Sequence, residues 1–175
     1  MLVSLGKRPD EQDVVDLLVE CHGRIRKFLT MARALTGARG AMPEEITHVA
    51  QQVRRYFAES LPLHIADEHD DILPRLADAG PEVATALAEM DAEHTAHEPL
   101  VGRLVELCET IAADPARLDA LRGELGELVH RLGNEFLVHL EREESVIFPA
   151  LRQLPAEQRE AIHAAMRERR ARVLR

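Results

Sequence analysis

The chain has 175 residues, with 22 Lys plus Arg against 31 Asp plus Glu and a formal net charge of −9. That length suits one domain with a sizeable core, spanning 1–175, and the negative charge argues against nucleic acid or an anionic membrane surface as the main partner. Hydrophobic residues make up 46% and aromatics only 3%; Ala, Leu, Glu and Arg dominate and strand-type runs are absent, so an all-α protein is expected. No window approaches the roughly 18 apolar residues of a membrane span. Met1 to Asp10 holds no apolar stretch long enough for a signal peptide, and a cytoplasmic protein is the expectation. Cys21 and Cys108 form no CxxC pattern and read as buried small hydrophobes.

The first helix is expected from about Asp10 to Thr36, because Val14, Leu17, Leu18, Cys21, Ile25, Phe28, Leu29, Ala32 and Leu35 step by three and four. Gly37, Gly40 and Pro43 mark the following loop, and Pro43 suits the first turn of helix two. That helix carries Ile46, Val49, Ala50, Val53, Phe57 and Leu61, with Pro62 expected to kink or split it. Asp78-Ala79-Gly80-Pro81 stops it and starts helix three, whose inner face runs from Val83 to Cys108. Asp114-Pro115 reads as N-cap plus first-turn proline for helix four, which runs on through Leu118, Leu125, Leu132 and Phe136. Leu154-Pro155 breaks the pattern before a shorter fifth helix. Short loops between long helices imply an up-down four-helix bundle over about 10–153, with an additional C-terminal helix over about 155–173. The fifth helix is expected on the outside of the bundle or in contact with a second subunit, as in a homodimer. Its arginines, Arg167, Arg169, Arg170, Arg172 and Arg175, read first as solvated cations at a helix end, with a docking surface as the other reading.

Two segments match without a gap. His64, Glu68, Ile72, Pro74 and Leu76 lie over His139, Glu143, Ile147, Pro149 and Leu151. The preceding helices match as well: Cys21-His22 lies over Glu93-His94, Ile25 over His97, Phe28 over Leu100 and Leu29 over Val101. The chain is therefore two helical hairpins, each reading His and then His-x3-Glu.

Residues four apart share a helix face. His64 and Glu68 can reach one point, as can His139 and Glu143. Both pairs continue an apolar face, so they point inward, where an unpartnered carboxylate is costly. Bound cations remove that cost. Imidazole and carboxylate suit iron, manganese or zinc. Two bridging glutamates and four histidines leave several coordination positions open for water, oxide, oxygen or another small ligand, which marks a reactive site more than a structural one. One inward histidine is ordinarily a satisfied core residue; six matched inward residues are not, because a core rarely tolerates several desolvated ionisable groups. His48, His130 and His163 lack matched partners and read as surface residues. His69, where the second copy has Glu144, reads as a neighbour of the site or exposed. Tyr56 reads as core, with a hydroxyl facing the site as the alternative.

These residues resemble the hemerythrin superfamily, and specifically its HHE cation-binding members: His22, His64-x3-Glu68, Glu93-His94 and His139-x3-Glu143 in order, over roughly residues 10–170. The resemblance implies a non-haem centre of two iron ions, oxo- or hydroxo-bridged, held by His22, His64, Glu68, His94, His139 and Glu143, with manganese or zinc as alternatives. It departs from the oxygen carriers, which add a histidine where Met90 stands and bridge through an aspartate where Glu144 stands. His97 is open as a replacement nitrogen or as a core residue. The leading expectation is a cation-binding protein that binds, senses or detoxifies a diatomic or peroxide ligand. A peroxidase-like or nitric oxide-reducing enzyme would use the same site. The alternative is a structural or regulatory bundle with zinc or no metal.

Overall fold

The computed structural model describes residues 13–173. Asp13 opens α1 (Val14–Gly37). Its side chain accepts from the Asp16 amide at 3.0 Å, and Asp16 accepts from the Asp13 amide at 3.2 Å, a reciprocal pair that satisfies two of the helix's free donors. The earlier part of the expected helix, Asp10 to Gln12, lies outside the described residues. At its far end, Arg122 donates to the carbonyls of Leu35, Thr36 and Ala38, where the last carbonyls of a helix run out of amide partners.

The second helix, α2, runs from 43 to 76 with Pro43 in its first turn. Of the kink or split expected at Pro62, the split does not occur. A π-helical segment, Tyr56–Ser60, precedes the proline, and the helix resumes at Leu61–Asp67. A proline within an α-helix loses one hydrogen bond and strikes the carbonyl four residues back; the wider turn relieves that contact and the helical run continues. The same device recurs at Glu68–Ile72 before Pro74 and at Glu143–Ile147 before Pro149.

Gly80, at φ 113°, makes the turn that only glycine takes readily, and Pro81 starts α3 (Pro81–Ala113). The Asp114 side chain accepts from the Ala116 amide at 3.2 Å as expected. One turn of 3-10 helix, Pro115–Arg117, leads into α4, residues 118–153. The fifth helix, α5, is Ala156–Val173. α1 packs on α2 and α4, and α3 packs on the same two, the up-down bundle that the short loops imply.

The core falls into two apolar clusters. One holds Ile25, Leu29, Phe57, Leu61, Leu104, Leu132, Phe136 and their neighbours. The other holds Val14, Leu18, Ile72, Leu76, Met90, Ile147, Leu151, Ile162 and Met166. Along every bundle helix the chain passes from one cluster to the other through a layer of buried polar residues. Tyr56 belongs to the first cluster: it stacks on Phe28 with ring centres 4.2 Å apart, and its hydroxyl donates to the Cys21 carbonyl at 3.5 Å. Both cysteines are free and buried.

The fifth helix is built into this core through Ile162 and Met166. The solvated reading of its arginines therefore needs correction at two positions. Arg169 bonds Asp67, Asp70 and Asp71, and Arg170 bonds Asp67 at 2.6 Å. Asp67 is fully buried, and only paired charges are kept there. Arg167 and Arg172 are exposed as expected, and Arg175 lies outside the described residues. Among the described residues, no helix is long and apolar enough to cross a membrane.

Candidate metal centre

The polar layer between the two clusters is formed by His22 on α1, His64 and Glu68 on α2, His94 on α3, and His139 and Glu143 on α4; all six are buried. Four-residue steps drift by about 40° each around a 3.6-residue helix, so a plain α-helix could not keep His64, Glu68, Ile72 and Leu76 all inward. Glu68 opens a π-helical segment, and the wider turn returns Ile72 and Leu76 to the core. Glu143 does the same for Ile147 and Leu151.

The two carboxylates sit crosswise among the imidazoles. Glu68 turns Oε1 to His64 Nε2 and Oε2 to His94 Nε2, both at 3.2 Å. Glu143 turns Oε2 to His22 Nε2 at 3.0 Å and Oε1 to His139 Nε2 at 2.9 Å. His22, His64, Glu68 and Glu143 thus offer donor atoms that all lie within 4.8 Å of one another, and so do His94, His139 and Glu143. All six residues named from the sequence come together. His97 enters neither group: its Nε2 lies 3.6 Å from Glu135, its ring stacks on Phe136, and its Nδ1 is buried without a partner.

A fringe of groups orients the rings. His22 Nδ1 lies 2.8 Å from Glu144, which also pairs with Arg26. His139 Nδ1 lies 2.8 Å from Glu93, which pairs with Arg142 at 2.6 Å. His94 Nδ1 lies 3.1 Å from His69 Nε2, itself 3.4 Å from Asp91. A carboxylate on Nδ1 holds the proton there and leaves the Nε2 lone pair facing the centre. The roles of Glu93 and Glu144 were not foreseen from the sequence. The repeat carried one signal, since it lays Glu144 over His69, and both do prove to hold the Nδ1 of a matched histidine.

The electrostatics prepare these groups to accept a cation. Burial pushes the His64 imidazole down to about 3 and His94 down to about 4, so both are neutral at pH 7. Burial, reinforced by the neighbouring Glu143, holds the Glu68 carboxyl well above its usual range. Burial would raise Glu143 as well, but His139 and His22 outweigh it and keep that carboxyl low. With no cation, then, the surroundings drive the two carboxylates apart, Glu143 toward the charged form and Glu68 toward the protonated one. Both oxygens of Glu68, both of Glu143, and Nε2 of His22, His64 and His94 are buried without a hydrogen-bond partner. Their contacts are close, yet the lone pairs converge on common points instead of on each other's protons. Buried polar atoms normally find partners; this nitrogen and oxygen donor set fits metal ions.

Fold and site together define an α-helical bundle with a buried cluster of histidines and carboxylates that fits metal ions. The family profile described as "Hemerythrin HHE cation binding domain" matches residues 13–123 and again 85–175, and the chain belongs to that family. It is similar to a protein of Haemophilus influenzae described as uncharacterized, at 25% identity over 108 residues, 60% of this chain and 63% of that protein. The chain thus spans less than two thirds of the length of this curated relative.

Proposed function

We propose that the chain holds two iron ions and uses them to bind, sense or detoxify a small ligand such as oxygen, nitric oxide or peroxide. His22 and His64 would serve one ion, His94 and His139 the other, with Glu68 and Glu143 bridging. The crosswise carboxylates carry this reading, because each offers one oxygen to the histidines of either half. The nitrogen and oxygen donor set, with no thiolate in either group, favours iron or manganese as much as zinc. When bound, such ions supply Lewis acidity and one-electron chemistry toward small molecules.

The protein's own groups have separate tasks. Glu93 and Glu144 fix ring orientation on His139 and His22. The two apolar clusters keep bulk water from the layer. A peroxidase-like or nitric oxide-reducing turnover would use the same residues. We also take residues 1–175 as one hemerythrin-like domain of the cytoplasm, a reducing setting that suits two free cysteines.

The test is metal content and turnover in His64→Ala and Glu143→Ala. Bound metal should fall from two ions to one or none per chain, with the helical circular dichroism retained. Full metal content in both variants would reject the assignment, and a parent protein loading only zinc would favour a structural or regulatory bundle.

A further inference from the structure

The repeat makes the centre nearly two-fold, yet the two seams beside it differ. Between α2 and α3 lies a cavity of about 360 Å³ whose wall includes Phe57, Leu61, Ile65, Val101 and Phe136. His94 and His97 also line it, with His69 beside them. The matching seam, between α1 and α4, holds a cavity of about 180 Å³ that none of the six central residues lines. The substitutions between the repeats account for the difference. Ile25 stands where the other seam has His97, and Glu144, clamped by Arg26 at 2.8 Å, stands where it has His69. Arg26 of that ion pair borders the smaller cavity, while the larger one reaches the central residue His94.

We propose that uncharged small ligands reach the centre through the α2–α3 cavity, on the side of His94 and His139, and that His97 hydrogen-bonds them there. The inference rests on the metal-site reading above and assigns it a direction. Apart from the exposed Thr95 and Glu98, the wall between the histidines is apolar and favours oxygen or nitric oxide over ions, since a charge would lose its hydration there without compensation. His97 borders the cavity, and its Nδ1 is buried without a partner beneath that wall, so a turn of the ring would bring an unused hydrogen-bonding group to a ligand. The cavity of about 320 Å³ against His64 is ringed instead by Arg24, Arg55, Glu59 and Arg170, a poor channel for a neutral diatomic.

Two readouts test this. Nitric oxide association with the ferrous-loaded protein, followed by stopped-flow absorbance, should slow at least tenfold in Val101→Trp and in Ile65→Trp at unchanged iron content. Leu137→Trp on the α1–α4 seam and Leu63→Trp by the His64 cavity should leave it unchanged, and His97→Leu should speed release. Equal rates in all the tryptophan variants, or slowing only in the two controls, would overturn the route. The second readout needs no metal: xenon pressed into crystals of the metal-free protein should settle between Val101 and Phe136, and xenon found only in other cavities contradicts the proposal. Failure to load iron would count against the metal reading, while the xenon experiment would still decide the route.

Discussion

His64 and His94 must stay neutral in the folded metal-free protein, and that ties its stability to pH. Their folded values, about 3 and about 4, lie below the ordinary 6.5. Between those limits the unfolded chain binds protons that the folded one refuses, so stability is complete above 6.5 and falls as pH drops. The loss approaches about 1.4 kcal/mol per pH unit for each histidine. Glu68 acts in the opposite sense: its raised carboxyl favours the folded state at low pH and withdraws that support as pH rises. Urea titrations of metal-free protein from pH 4 to 7 should therefore show a gain with pH through the histidine window, and a flat profile would contradict the burial argument. Because the raised Glu68 carboxyl must ionise to hold a cation, loading with a divalent metal should release a proton at pH values below its folded one, measurable in weakly buffered solution. The orienting carboxylates predict a smaller effect: Glu93→Ala should lower metal affinity about 10- to 100-fold without abolishing binding, as read by competition with a chelator.

At the scale of the helix, the π-helical segments set the register of the site. Deleting Ala58 should restore α-helical spacing in Tyr56–Ser60 and rotate His64 and Glu68 by about 100° relative to the residues before them. Metal content should then collapse even though no ligand has been changed, and retention of two ions would contradict the register argument. The fifth helix is also more than an appendage. Asp67→Ala leaves Arg170 without a carboxylate while Arg169 keeps Asp70 and Asp71, and with both arginines partly exposed the cost should be about 1–3 kcal/mol. Because Asp67 adjoins Glu68, thermal unfolding should show the loss in metal-free and loaded protein alike.

For the molecule as a whole, periodicity and doubling made the fold and the six central residues legible. His-x3-Glu on an apolar face, twice at one spacing, suits little besides a shared cation site. Features that depend on contact between helices were not legible. No helical period links Arg169 to Asp67, or Glu93 to His139, and no propensity marks the π turns that let Pro62, Pro74 and Pro149 continue a helix. Rules for proline assume α spacing, and for that reason the helix runs through Pro62 unsplit. The unequal seams were present in the alignment of the repeats as Ile25 over His97, but only the packed helices turned that difference into a cavity.

The proposed two-iron centre is tested most directly by elemental analysis combined with an absorption spectrum, on protein purified in air and again after anaerobic loading with ferrous iron. About two irons per chain are expected, with near-ultraviolet oxo-to-iron bands that fade on reduction. Colourless protein holding zinc or no metal, unchanged after ferrous loading, would contradict a two-iron centre.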